Sequence, residues 1–111
     1  MAFSWVFYNL ENPFFDMLYE VTISDNITDF ESSVSKVTSP GLNFSYVDKE
    51  GNIAWWATGR LPVRDSNINA KSILDGSNPN HNIKSYVSFK NNPQMINPKS
   101  WVIITANNLP T

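Results

Sequence analysis

Cysteine is absent from the chain, which removes disulfides, thiolate nucleophiles and zinc ribbons. Its absence leaves the compartment open, because secreted proteins can also do without the residue. Histidine occurs once, at position 81 inside an Asn-rich stretch, so a Ser-His-Asp triad has no supporting motif and His81 reads as a loop residue. Charge is sparse: Asp, Glu, Lys and Arg make up 16% of the residues, below the roughly 25% of an average soluble protein. A chain so short of charge is expected to have part of its surface covered, and an apolar patch left open would promote self-association. The eight basic residues are scattered and the net charge is −2, so there is no footprint for a phosphate backbone and nucleic acid is not expected as a partner. No apolar run approaches the roughly 20 residues that span a bilayer, so no membrane partner is expected. The start Met1-Ala-Phe-Ser-Trp5 lacks the basic region and long apolar stretch of a secretory leader, and the chain reads as untargeted.

What remains is aromatic and β-rich. At 111 residues, 41% hydrophobic and 14% aromatic, the chain has the size of one domain or a piece of one. Four stretches follow from the local pattern. Residues 1–41 read as a strand and helices. Phe3 to Tyr8 favour a strand, and Asn12-Pro13 breaks it. Phe14, Met17, Leu18 and Val21 then recur at helical spacing. Ser24-Asp25-Asn26 suits a cap before a second helix with the stripe Ile27, Phe30, Val34 and Val37, which Thr38-Ser39-Pro40-Gly41 stops. Residues 42–59 read as a hairpin, Leu42 to Val47 with Ile53 to Ala57, in which Gly51 supplies the positive φ of the reversal. Residues 60–83 read as a long loop, and 84–111 as closing strands near Tyr86 to Phe89 and Trp101 to Thr105. Trp55 and Trp56 must point to opposite faces of their strand, and core packing is the default for at least one.

The acidic residues give no metal motif. Asp48 and Glu50 flank the hairpin turn, the others lie on or near the helices, and no EF-hand spacing is present.

The stretch Asn43 to Arg64 carries the most information. An Asn opens a strand, Tyr46-Val-Asp-Lys-Glu-Gly-Asn-Ile53 follows, then an aromatic strand, then Gly59-Arg-Leu-Pro-Val-Arg64. In this register the chain resembles the penicillin acylase family. Downstream, Asn92-Pro93, Ile96-Asn-Pro-Lys-Ser100 and Val102-Ile-Ile-Thr-Ala-Asn-Asn108 resemble the family's Asn-Pro-x-x-Gly, apolar strand and closing Asn-Asn, with Ser100 where the family usually has Gly. The resemblance covers nearly the whole chain, most specifically after Pro40.

The resemblance implies an α+β fold: part of the four-layer α/β/β/α sandwich of N-terminal-nucleophile hydrolases, with one or two helices on a small antiparallel sheet. It implies that Asn43 donates to the oxyanion hole during hydrolysis of a linear amide, and that Arg64 supports the catalytic groups through its hydrogen bonds. By pattern alone, Asn43 beside Gly41 is a turn former and Arg64 a solvated loop arginine. No cofactor is assigned to this chain, and the calcium often bound in the family has no ligands that can be carried onto it. The family's nucleophile is a Ser exposed at a chain start. Here removal of Met1 would expose Ala2, and Ser4 lies too close to Asn43 to correspond. The chain is therefore expected to be an internal fragment of the catalytic subunit, inactive alone, partnered by the remaining segments or by itself, with an acylated amine as substrate only in the complete enzyme. The other class left open is a non-catalytic β-rich binding or interaction module.

Overall fold

The computed structural model describes residues 6–9 and 11–106. It is an α+β arrangement: three helices, α1 (Val6–Asn9), α2 (Phe14–Thr22) and α3 (Ile27–Val34), followed by five short strands. The strands are β1 (Asn43–Val47), β2 (Ile53–Ala57), β3 (Pro62–Val63), β4 (Ser85–Tyr86) and β5 (Gln94–Ile96). The main sheet is antiparallel in the order β1-β2-β5, and β3 and β4 form a separate two-stranded ladder. Its Cα radius of gyration is 16.4 Å, against about 13 Å for a compact domain of similar length. The molecule is correspondingly open: Phe15, Ile73 and Ile104 are each more than 80% exposed.

The helices form where the apolar stripes place them. Met17 on α2 and Val34 on α3 are fully buried, and Val37, just beyond α3, joins Ala54 and Trp56 of β2 beneath them. Phe30 bridges the layers, its ring 5.1 Å from Tyr46, 5.9 Å from Trp56 and 6.4 Å from Phe44. Asn26 caps α3 as its side chain suits. Its Oδ1 accepts from the N–H groups of Thr28 and Asp29, each at 3.0 Å, while its Nδ2 donates to the Asp29 carboxylate at 2.7 Å. Asn26→Ala is expected to cost about 1 kcal/mol, read as a lower urea midpoint at unchanged slope.

The hairpin register pairs Asn43 with Ala57, Ser45 with Trp55 and Val47 with Ile53. Strand alternation then turns Phe44, Tyr46, Ala54 and Trp56 toward the helices, and Asn43, Ser45, Trp55 and Ala57 to the opposite face. At the reversal, Gly51 has φ +90°. The Asp48 carboxylate accepts from Asn52 Nδ2 (2.7 Å), the Glu50 and Asn52 N–H groups (2.9 Å each) and the Tyr46 hydroxyl (3.0 Å). The Asn52 side chain, followed by the backbone and Tyr46 donors, holds Asp48 below the usual aspartate range against the opposing effect of desolvation. A depressed carboxyl stabilises the fold above its unfolded-state value. The hairpin is therefore expected to be intact above the usual aspartate range and to loosen as pH falls through the lower folded-state value. This is measurable as faster exchange of the Gly51 and Asn52 amides, and Asp48→Asn should weaken the acid dependence.

Three segments differ from the sequence pattern. Tyr86 to Phe89, expected as a strand, keeps only Tyr86 in β4, and Phe89 opens a 3-10 turn over Phe89–Asn91. The stretch Phe3 to Tyr8, expected as a strand, is helical in its described part, which falls within Val6–Asn9, and none of the described strands pairs with it. Trp101 to Thr105, expected as a strand, makes none. Trp101 takes φ +54° and its N–H closes a turn on the Pro98 carbonyl at 2.9 Å, so the chain leaves the sheet there. The strand on that side is β5 instead, anchored by Asn97, whose N–H donates to the Ile53 carbonyl at 2.9 Å and whose Oδ1 accepts from the Ile53 N–H at 3.0 Å. The long excursion over 60–83 holds β3 and a 3-10 turn at Pro79–His81. Asn107-Asn108, Ala2 and Ser4 lie outside the described residues.

Candidate functional site

Asn43 opens β1 on the sheet face turned away from the helices, and the residues before it are tightly fixed. The Thr58 N–H and hydroxyl both donate to the Leu42 carbonyl, at 2.8 and 3.1 Å. Behind them Gly59 has φ +102°, and a Cβ there would stand 3.0 Å from Gly41 Cα, so glycine is needed both for the backbone and for the close approach. Buried Asn92 donates from Nδ2 to the carbonyls of Ala57 and Gly59, each at 3.0 Å. It thereby clamps the end of β2 beside the start of β1, which gives the Asn92-Pro93 motif a structural role.

The Asn43 side chain is held by one bond. Trp55 Nε1–H donates to Asn43 Oδ1 at 3.0 Å. An indole nitrogen can only donate, so the amide must turn its oxygen toward the ring. Nδ2 is then the end left over, and it has no protein partner among the described residues.

Asn43 and Trp55 border an open groove of about 480 Å³, with Leu42 and Thr58 on their side and Pro93, Gln94, Met95 and Ile104 to Ala106 opposite. Among the described residues no Asp, Glu, Lys, Arg or His lines it. A neutral donor facing a groove with an uncharged, mixed polar and apolar described lining can stabilise a negative charge that develops on a ligand, but no side chain among the described lining residues can serve as general acid or base. Gln94 is not a free donor, because its Nε2 is engaged on the Lys90 carbonyl at 2.6 Å.

Arg64 lies elsewhere. Its Nη1 donates to the His81 carbonyl, closing the excursion between β3 and β4, and it does not line the groove at Asn43. Asp65 and Lys84, just outside the ends of the same two strands, pair at 3.5 Å. The His81 ring accepts from the Asp75 N–H through Nδ1 at 2.9 Å, so it organises the loop. Among the described residues no three His, Asp or Glu side chains gather closely enough to hold a metal ion.

A family model for penicillin amidase matches residues 1–111, the entire chain. The chain belongs to the penicillin amidase family. Among solved structures it is similar to the thermostable penicillin G acylase from Alcaligenes faecalis, with a TM-score of 0.75 and 26% identity, covering 86% of this chain and 17% of that one. The α+β fold of this penicillin amidase family member is thus the fold of a segment of a much longer acylase. The family resemblance singled out Asn43 but missed Trp55 as its partner. Strand alternation carried the signal, since it places positions 43 and 55 on one face once the hairpin register is known. The far wall of the groove, from β5 and residues 104–106, had no such signal.

Proposed function

We propose that this chain forms part of the active site of a penicillin-acylase-like amidase that hydrolyses linear amides by acyl transfer, with Asn43 as an oxyanion donor. The observation that carries the reading is the Asn43 amide, oriented by Trp55 with its Nδ2 unengaged beside an uncharged groove. In this mechanism a serine hydroxyl from another segment of the catalytic subunit attacks the amide carbonyl carbon, and its proton passes to that segment's own α-amine. The carbonyl oxygen takes up the negative charge, and Asn43 Nδ2 donates to it where the charge develops. The C–N bond then breaks, the amine leaves with the proton, and water releases the acyl group from the serine ester.

Arg64 acts in support, at a distance, by holding the excursion over 65–83 through the His81 carbonyl. The exposed apolar residues, including Phe15 and Ile104, are the surface that the remaining segments of the subunit would cover. The serine that attacks the amide is assigned to another segment, which is why the chain alone is proposed to be inactive.

The test is hydrolysis of a chromogenic phenylacetyl or aliphatic acyl anilide by the chain alone and by the chain combined with the nucleophile-bearing segment. Activity only on combination supports the reading. Activity of the chain alone overturns it, and inactivity throughout favours a non-catalytic interaction module.

A further inference from the structure

The groove's one unengaged side-chain amide depends on a neighbour that no motif marks. We propose that Trp55 is a positioning residue for Asn43, holding the amide in the one of its two flips that leaves Nδ2 for the substrate; the inference rests on the reading of Asn43 as oxyanion donor.

The terminal torsion of an asparagine is broad and nearly two-fold, so an exposed amide samples both flips unless something distinguishes oxygen from nitrogen. Asn43 is exposed and is the first residue of its strand. With the amide reversed, its oxygen would face the forming alkoxide and repel it. The indole Nε1–H, 3.0 Å from Asn43 Oδ1, makes the productive flip the bonded one. Trp55 is well placed to do this, because it sits on the central strand with Ser45 opposite it on β1 and Met95 opposite it on β5. Two ladders thus fix the donor, whereas the acceptor sits at a strand end. Two nearby donors are committed elsewhere: the Thr58 hydroxyl to the Leu42 carbonyl and Gln94 Nε2 to the Lys90 carbonyl. The oriented donor therefore exists before substrate arrives, which is the condition under which such a donor lowers the barrier.

The experiment uses the assembled amidase, acyl anilide substrate and two replacements of Trp55. One is Trp55→Phe; the other is benzothienylalanine, which keeps the indole shape and puts sulfur in place of the N–H. Both are expected to lower kcat about 3- to 10-fold at nearly constant KM, the effect of losing one neutral orienting hydrogen bond. In an Asn43→Ala background the same replacements should leave kcat unchanged, because the group they orient is gone. Equal losses in both backgrounds would show a merely structural role and overturn the inference. A large loss in Asn43→Ala with none at Trp55 would overturn the inference and leave the oxyanion reading standing. Unchanged activity in Asn43→Ala would remove both.

Discussion

Asn43→Asp is expected to lower turnover of the assembled amidase by on the order of 10²–10³ or more, at least as much as Asn43→Ala, while leaving the fold in place. The substitution separates the two jobs of the side chain. An aspartate retains an oxygen that can accept from Trp55 Nε1–H, so the contact seen at 3.0 Å can persist. What disappears is the N–H donor, and a carboxylate now stands where the substrate oxygen must become negative. Among the described lining residues of the groove none is charged to offset that repulsion. Because the amide carbonyl carries much less charge before attack than in the tetrahedral state, the loss should fall on kcat, with KM changing little. Steady-state kinetics with the acyl anilide, alongside the urea midpoint of each variant, checks this. Turnover of Asn43→Asp within a few-fold of the parent would exclude Asn43 as an oxyanion donor.

The sequence made some of this legible for physical reasons. Both long helices follow from apolar spacing and from the cap at Asn26, and the hairpin from alternation around Gly51; these are local signals. The failures are nonlocal. Val6–Asn9 has the aromatic content of a strand, but none of the described strands pairs with it to supply the hydrogen bonds that aromatic composition alone cannot. Trp101 to Thr105 reads as a strand by composition, yet the left-handed turn at Trp101 takes that segment off the sheet, and the less apolar Gln94–Ile96 pairs with β2 instead. For the site, the motif pointed to Asn43 and Arg64 together, whereas the fold puts only Asn43 at the groove. Arg64 is spent on a carbonyl of its own excursion, 17 residues along the chain. The bond that orients Asn43 depends on cross-strand register, which no single position of the sequence displays.

Trp56→Ala is expected to cost about 3–5 kcal/mol, the range for deleting a buried large aromatic side chain. Set against a total stability of about 5–15 kcal/mol for an ordinary domain, that loss should remove most or all of the cooperative urea transition. Trp56 is fully buried between β2 and the helices, and Phe30, Met17, Val34 and Val37 complete the same core. Trp56→Phe should behave differently. The indole Nε1 is buried without a partner among the described residues, and an unsatisfied buried donor costs about 1–3 kcal/mol. Phenylalanine gives up volume but also removes that donor, so its net cost should be far below that of alanine. The two variants also connect the core to the groove, since Trp55 and Trp56 are consecutive on the central strand and face opposite ways. A collapsed cavity beneath β2 would shift the backbone that aims the Trp55 indole, so Trp56→Ala should lose activity in step with stability, whereas Trp56→Phe should retain both. A phenylalanine variant as unstable as the alanine one would mean that packing volume outweighs the unpaired indole nitrogen at this position.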